Sequence, residues 1–153
     1  MKEKTKKLIL YIALCIITIL ILFLIIKING NRLNNLEEKS FIGNYITEIK
    51  FNNIKDYLKE NPDSIVYVSN SSEESSKNFE KKFKKVIVKY NLETELVYIN
   101  IYNINNNNDI MYSNAPELLF YKDGIITDAI SCDTLKTSDD IVNIFKERSV
   151  IGD

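Results

Sequence analysis

Histidine is missing from all 153 residues, and cysteine occurs only twice, at Cys15 and Cys132. Without histidine the chain has no Ser-His-Asp triad, no histidine general base and none of the commonest transition-metal sites. The two cysteines stand far apart, one of them inside a long apolar run. No intrachain structural disulfide is expected, and each thiol reads as a buried or inert side chain. A concentrated basic stripe is also lacking from the larger part of the sequence. Residues 1–27 hold five lysines against Glu3, a net charge of +4, while the remainder holds 15 Lys/Arg and 20 Asp/Glu, a net of −5. Nucleic-acid binding neutralises phosphates with clustered Lys/Arg, so this balance argues against it. The heavy use of Ile, Asn and Lys points to AT-rich coding, and asparagine runs need no functional reading.

What is present first is a 19-residue run from Leu8 to Ile26, LILYIALCIITILILFLII, without a charge. At about 1.5 Å per residue it would span roughly 28 Å, close to a bilayer core of about 30 Å. No small-residue cleavage pattern follows it, so an uncleaved transmembrane anchor over 8–26 is preferred to a cleaved signal peptide. Four lysines precede the run, with Lys27 and Arg32 sparser behind it. The positive-inside rule keeps residues 1–7 in the cytoplasm and sends the C-terminal part out of it, a single-pass membrane protein. Residues 27–44 read as a polar linker and 45–153 as one domain.

Within that domain, Tyr45–Phe51 reads as a strand. A helix follows, capped by Asn52 or Asn53, with Ile54, Tyr57 and Leu58 on its apolar face; Pro62 ends it. Ser64–Val68 reads as a doubly covered strand. The polar stretch Asn70–Ser76 then leads into a helix reaching about Asn91, whose buried stripe is Phe79, Phe83, Val86, Ile87 and Tyr90. Its other face carries Lys77, Glu80, Lys81, Lys82, Lys84, Lys85 and Lys89. That charge run is most simply a solvated face; contact with anionic lipid is the sharper alternative. Glu95–Ile101 and Glu117–Tyr121 read as strands. Lys122-Asp123-Gly124 signals a hairpin turn to a strand over Ile125–Ser131. Thr137 or Ser138 caps a last helix with Ile141, Val142, Ile144 and Phe145 on its apolar side.

The alternation of strands and helices that ends in a hairpin and a last helix, the Ala115-Pro116 element and the Lys122-Asp123-Gly124 turn resemble the thioredoxin-like superfamily. The match covers about residues 46–148. The phrases that carry it are Asn78–Val86, Val97–Asn100 and Ala115–Gly124, and the nearest likeness is to membrane-tethered bacterial thioredoxin-like proteins, including bacteriocin transport accessory proteins. The resemblance implies an α/β fold with a central mixed sheet flanked by helices. It also implies a cis Ala115–Pro116 bond facing the strand–helix junction. In the two cysteine positions of that family the chain has Glu73 and Ser76, or Ser72 and Ser75 with a one-residue shift. The family's buried Asp corresponds to Tyr67.

Thiol–disulfide exchange needs a thiolate attacking sulfur, which hydroxyls and carboxylates cannot replace. Cys132 follows the last strand, which the resemblance places away from the junction. No catalytic residue, metal or cofactor is therefore expected. The residues Ser72, Glu73, Ser75, Ser76, Ala115 and Pro116 remain as a groove without its redox pair. The acids at the junction have a structural explanation, a capping box between Ser71 and Glu74 with Glu73 and Glu74 at the positive end of the helix. Asn70-Ser71-Ser72 also fits a glycosylation sequon, a pattern common by chance. Three functions remain open. One is a non-catalytic, membrane-anchored module that binds a protein or peptide of the cell envelope. Another is a thiol–disulfide-related accessory protein in secretion or maturation of a bacteriocin-like peptide. The third is a tether with an empty groove.

Overall fold

The computed structural model describes residues 9, 11–12, 14–27, 40–102, 104 and 114–152. The chain divides into two compact units, residues 1–37 and 38–153. In the first unit, residues 14–27 form a helix, α1, whose side chains are all exposed. Ile17 and Phe23, for example, present 54% and 65% of their surface. Leu8, Leu10 and Ala13 of the expected span lie outside the described residues, and among the described residues no helix is long and apolar enough to cross a membrane.

The second unit is α/β, a mixed five-stranded sheet with helices on its two faces. The strands are β1 (Thr47–Glu48), β2 (Ile65–Ser69), β3 (Leu96–Asn100), β4 (Glu117–Lys122) and β5 (Ile125–Ser131); the helices are α2 (Ile54–Glu60), α3 (Glu74–Tyr90) and α4 (Ser138–Glu147). The sheet order is β1-β3-β2-β4-β5, with β1, β3 and β2 parallel and β4 and β5 antiparallel.

The central strands are apolar without a break because both faces are covered, and alternation sorts them. Tyr67, Tyr98, Leu118 and Phe120 join Phe79, Phe83, Ile87, Ile141 and Phe145 on the side of α3 and α4. Val66, Val68, Val97, Ile99, Leu119 and Tyr121 join Ile54 and Leu58 of α2 on the other. The hairpin turn forms at Asp123 and Gly124, with φ of 54° and 73°. Positive φ at both central residues matches the right-handed twist of the paired strands.

Two boundaries differ from the sequence reading. The strand expected over Tyr45–Phe51 shrinks to Thr47–Glu48, because the chain turns at Phe51–Asn53, where the Asn53 amide donates to the Lys50 carbonyl. β1 has a partner on one side only, so β propensity there is not held by a second ladder. The linker expected over 27–44 ends sooner. Residues 40–44 belong to the folded unit, with Ile42 fully buried and Ser40 nearly so. Gly43 is required at this docking point, since a Cβ there would collide with the Tyr98 hydroxyl group.

Candidate functional site

The junction begins where β2 ends. Asn70 to Glu73 form a turn closed by the Glu73 amide donating to the Asn70 carbonyl at 2.9 Å. Asn70 holds this turn with its side chain. Its Oδ1 accepts from the Ser72 amide (3.2 Å) and the Ser72 hydroxyl (2.7 Å), and its Nδ2 donates to Glu73 Oε1 at 2.8 Å. The Ser75 hydroxyl lies 3.4 Å from the other Glu73 oxygen. The Ser76 Oγ accepts from the Asn70 amide at 3.1 Å and is fully buried.

The expected capping box is absent. The N-cap of α3 is Glu73, and no side chain caps it. Ser71 faces the sheet instead. Its amide donates to Asn100 Oδ1 at 3.2 Å, and the Asn100 Nδ2 donates to its hydroxyl at 3.1 Å. A polar residue at the end of β3 has taken the partner that a helix cap would have used.

The register puts Pro116 at the same end of the sheet. Val68 pairs with Glu117, so Pro116 is level with Ser69 as the junction starts. The Ala115–Pro116 peptide bond is cis. Pro116 is buried and its carbonyl accepts from the Cys132 amide at 2.8 Å; Ala115 packs against the cluster around α2. Burial raises the pKa of Glu117, the next residue. Of the six groove residues, Ser72 and Glu73 are exposed, Ser75 and Ala115 half-buried, and Ser76 and Pro116 buried.

Beneath the junction lies a group the sequence reading put in the wrong place. Glu80 was expected on the solvated face of α3, but it is 1% exposed. It follows Ser76 by one helical turn and so shares the inward stripe with Phe83 and Ile87. Its Oε1 accepts from the hydroxyls of Ser40 and Ser69, each at 2.6 Å, and lies 3.4 Å from the Tyr67 hydroxyl. Its Oε2 accepts from the Ile42 amide at 3.2 Å. All four groups donate, which suits an acceptor-only carboxylate. Burial, then Glu80, then Cys132 push the Tyr67 phenol well above its ordinary value, against smaller opposing effects of the Ser69 and Ser76 hydroxyls. This cluster ties the entry segment at Ser40, the end of β2 and α3 into one internal assembly. It presents no nucleophile to solvent.

Cys132 lies in the same apolar cluster as Tyr67 and Phe79, and its amide donates to the Pro116 carbonyl, so it is nearer the junction than the resemblance implied. It is buried, and desolvation followed by the charges of Glu117 and Asp133 raises its pKa strongly. A thiol held neutral in this way is a poor nucleophile. Among the described residues no group of His, Cys, Asp and Glu could hold a metal ion.

An open cleft of about 510 Å³ lies at the opposite end of the sheet, beside the start of β2 and the end of β4. None of the six groove residues lines it. Its Arg148 is already engaged, ion-paired with Asp128 and stacked on the Phe120 ring at 4.8 Å. No family model matches the chain, and no curated protein is significantly similar to it.

Proposed function

We propose that the chain is a non-catalytic binding or accessory module with a thioredoxin-like domain, held at a membrane by residues 8–26 with the domain outside the cytoplasm. The mixed sheet and its flanking helices are compatible with that fold, and the cis Ala115–Pro116 bond beside the junction fits it. The uncharged run and its lysine flank support the anchor. One observation carries the reading. The hydroxyl at Ser76 is buried and engaged by the Asn70 amide, and the single thiol of residues 38–153, Cys132, is buried with a raised pKa. The sheet and helices are compatible with that scaffold, while no side chain at the junction carries the thiol that disulfide exchange needs. The rim formed by the exposed Ser72 and Glu73 and the half-buried Ser75 is then a contact surface for an extended peptide or protein of the envelope.

A photo-reactive residue placed at Ser72 or Ser75 of the full chain in its own membranes tests this. A discrete adduct is expected from both positions and not from Ile125, which is exposed at the far hairpin. Adducts equally strong from Ile125, or none from the junction, count against a binding groove. The thiol–disulfide alternative is decided separately by insulin reduction. No turnover is expected, and turnover abolished by Cys132→Ser would replace this reading.

A further inference from the structure

With Glu80 withdrawn into the core, the outer face of α3 keeps its lysines and loses the one acid that stands among them in the sequence. Lys77, Lys81, Lys85 and Lys89 follow one another at four-residue spacing and are all exposed. The row runs about 18 Å at 1.5 Å per residue. Glu74, at the start of the helix, is the only acid exposed on α3. No carboxylate among the described residues pairs with any of the four lysines; Lys81 reaches only the Asn78 side chain, at 3.2 Å.

Two large apolar side chains lie beside the row. Val88 is 48% exposed on the same face, and Phe41 is 46% exposed with the Lys84 ammonium 5.2 Å above its ring. Lysines flanking exposed apolar groups form the pattern by which a surface meets lipid headgroups, the ammonium groups at phosphates and the apolar groups just below. The unpaired cations stand out because the chain beyond residue 27 is net acidic. The sequence already placed these lysines on one face, with lipid contact as the sharper alternative, and the burial of Glu80 removes the one acid interleaved with them.

We propose that the outer face of α3 docks on an anionic lipid surface through Lys77, Lys81, Lys85 and Lys89, with Val88 and Phe41 at the contact. The proposal rests on the reading that residues 8–26 anchor the chain in a bilayer, since tethering to a membrane raises the effective concentration of headgroups for the domain.

The test uses the full chain reconstituted in phosphatidylcholine vesicles and in vesicles containing phosphatidylglycerol. Lysine acetylation by a soluble reagent is read residue by residue. In anionic vesicles the four lysines should react about fivefold more slowly than in neutral ones. Salt on the order of 1 M, where the Debye length is about 3 Å, should restore them. In the variant with all four changed to Gln, Lys84 should lose its own protection. Equal reactivity in both vesicles, with the chain still co-floating, overturns the docking and leaves the anchor standing. Protection in both compositions assigns the face to another occupant, such as a second copy, and also overturns it. Failure to co-float with neutral vesicles refutes the anchor instead; flotation with anionic vesicles then supports the face, and its lack overturns that too.

Discussion

Replacing Glu80 by alanine would strip the acceptor from two serine hydroxyls and the Ile42 amide in an interior that excludes water. Buried donors left unpaired cost about 1–3 kcal/mol each before relaxation, so Glu80→Ala is expected to lose about 2–4 kcal/mol. Glu80→Gln keeps the volume and one strong acceptor and should lose about 1–2 kcal/mol. Urea midpoints at unchanged slope measure both. An alanine variant within about 0.5 kcal/mol of the parent would show that the network is dispensable. The position was not legible in the sequence for a definite reason. A glutamate among six lysines on α3 satisfies the solvated-face pattern, and its four partners lie 11, 13, 38 and 40 residues away, beyond any local periodicity. The only near signal was Ser76, one turn earlier, a small polar residue aligned with the apolar stripe.

At the scale of the element, the two helices with polar starts behave differently. α4 has a complete capping box. Thr137 Oγ1 accepts from the Asp140 amide at 3.2 Å, and Asp140 Oδ2 accepts from the Thr137 amide at 2.7 Å. These bonds to Thr137 hold the Asp140 carboxyl below its ordinary value. The Asp140 half of the box is therefore fully present above the ordinary carboxylate range and is lost as pH falls through the lowered value. Thr137→Ala should cost about 1 kcal/mol at neutral pH, read as a drop in denaturation midpoint. An unchanged midpoint would mean that packing of Ile141 and Phe145 alone sets this helix. The α3 start offered an equally good local pattern in Ser71 and Glu74, yet it forms no box because Asn100 competes for Ser71 from β3. Strand interiors and hairpin were legible because their alternation and turn chemistry are local. β1 was overextended because a strand at the edge ends where the chain turns, whatever its propensity.

At the scale of the molecule, Cys132, Tyr67 and Tyr98 are buried acids of high intrinsic pKa that titrate in the same direction. Burial raises Cys132, Tyr67 and Tyr98, the last also through the Glu48 carboxylate bonded to its hydroxyl at 2.8 Å. The folded state thus holds protons that the unfolded chain releases. Their contribution is complete below the unfolded thiol and phenol values and is lost as pH rises above them, so stability should decline beyond about pH 9. Denaturant midpoints taken across that range test the sign, and a flat profile would contradict it. In the folded protein Cys132 should also resist a thiol reagent until the domain opens.

The sequence by itself determined the apolar run of residues 8–26, the order of strands and helices after it, the hairpin at Asp123-Gly124 and the lack of any histidine or paired thiol at the junction. These follow from composition and from periodicities a few residues long. Only the tertiary structure decided that Ser40 and Ile42 belong to the domain, that Ser71 serves the sheet rather than the helix, and that Glu80 is interior. Each depends on a hydrogen-bond partner distant in the chain, which local pattern cannot choose. The same burial that hides Glu80 leaves the lysines of α3 without an acid among them, so the character of that face was settled by packing.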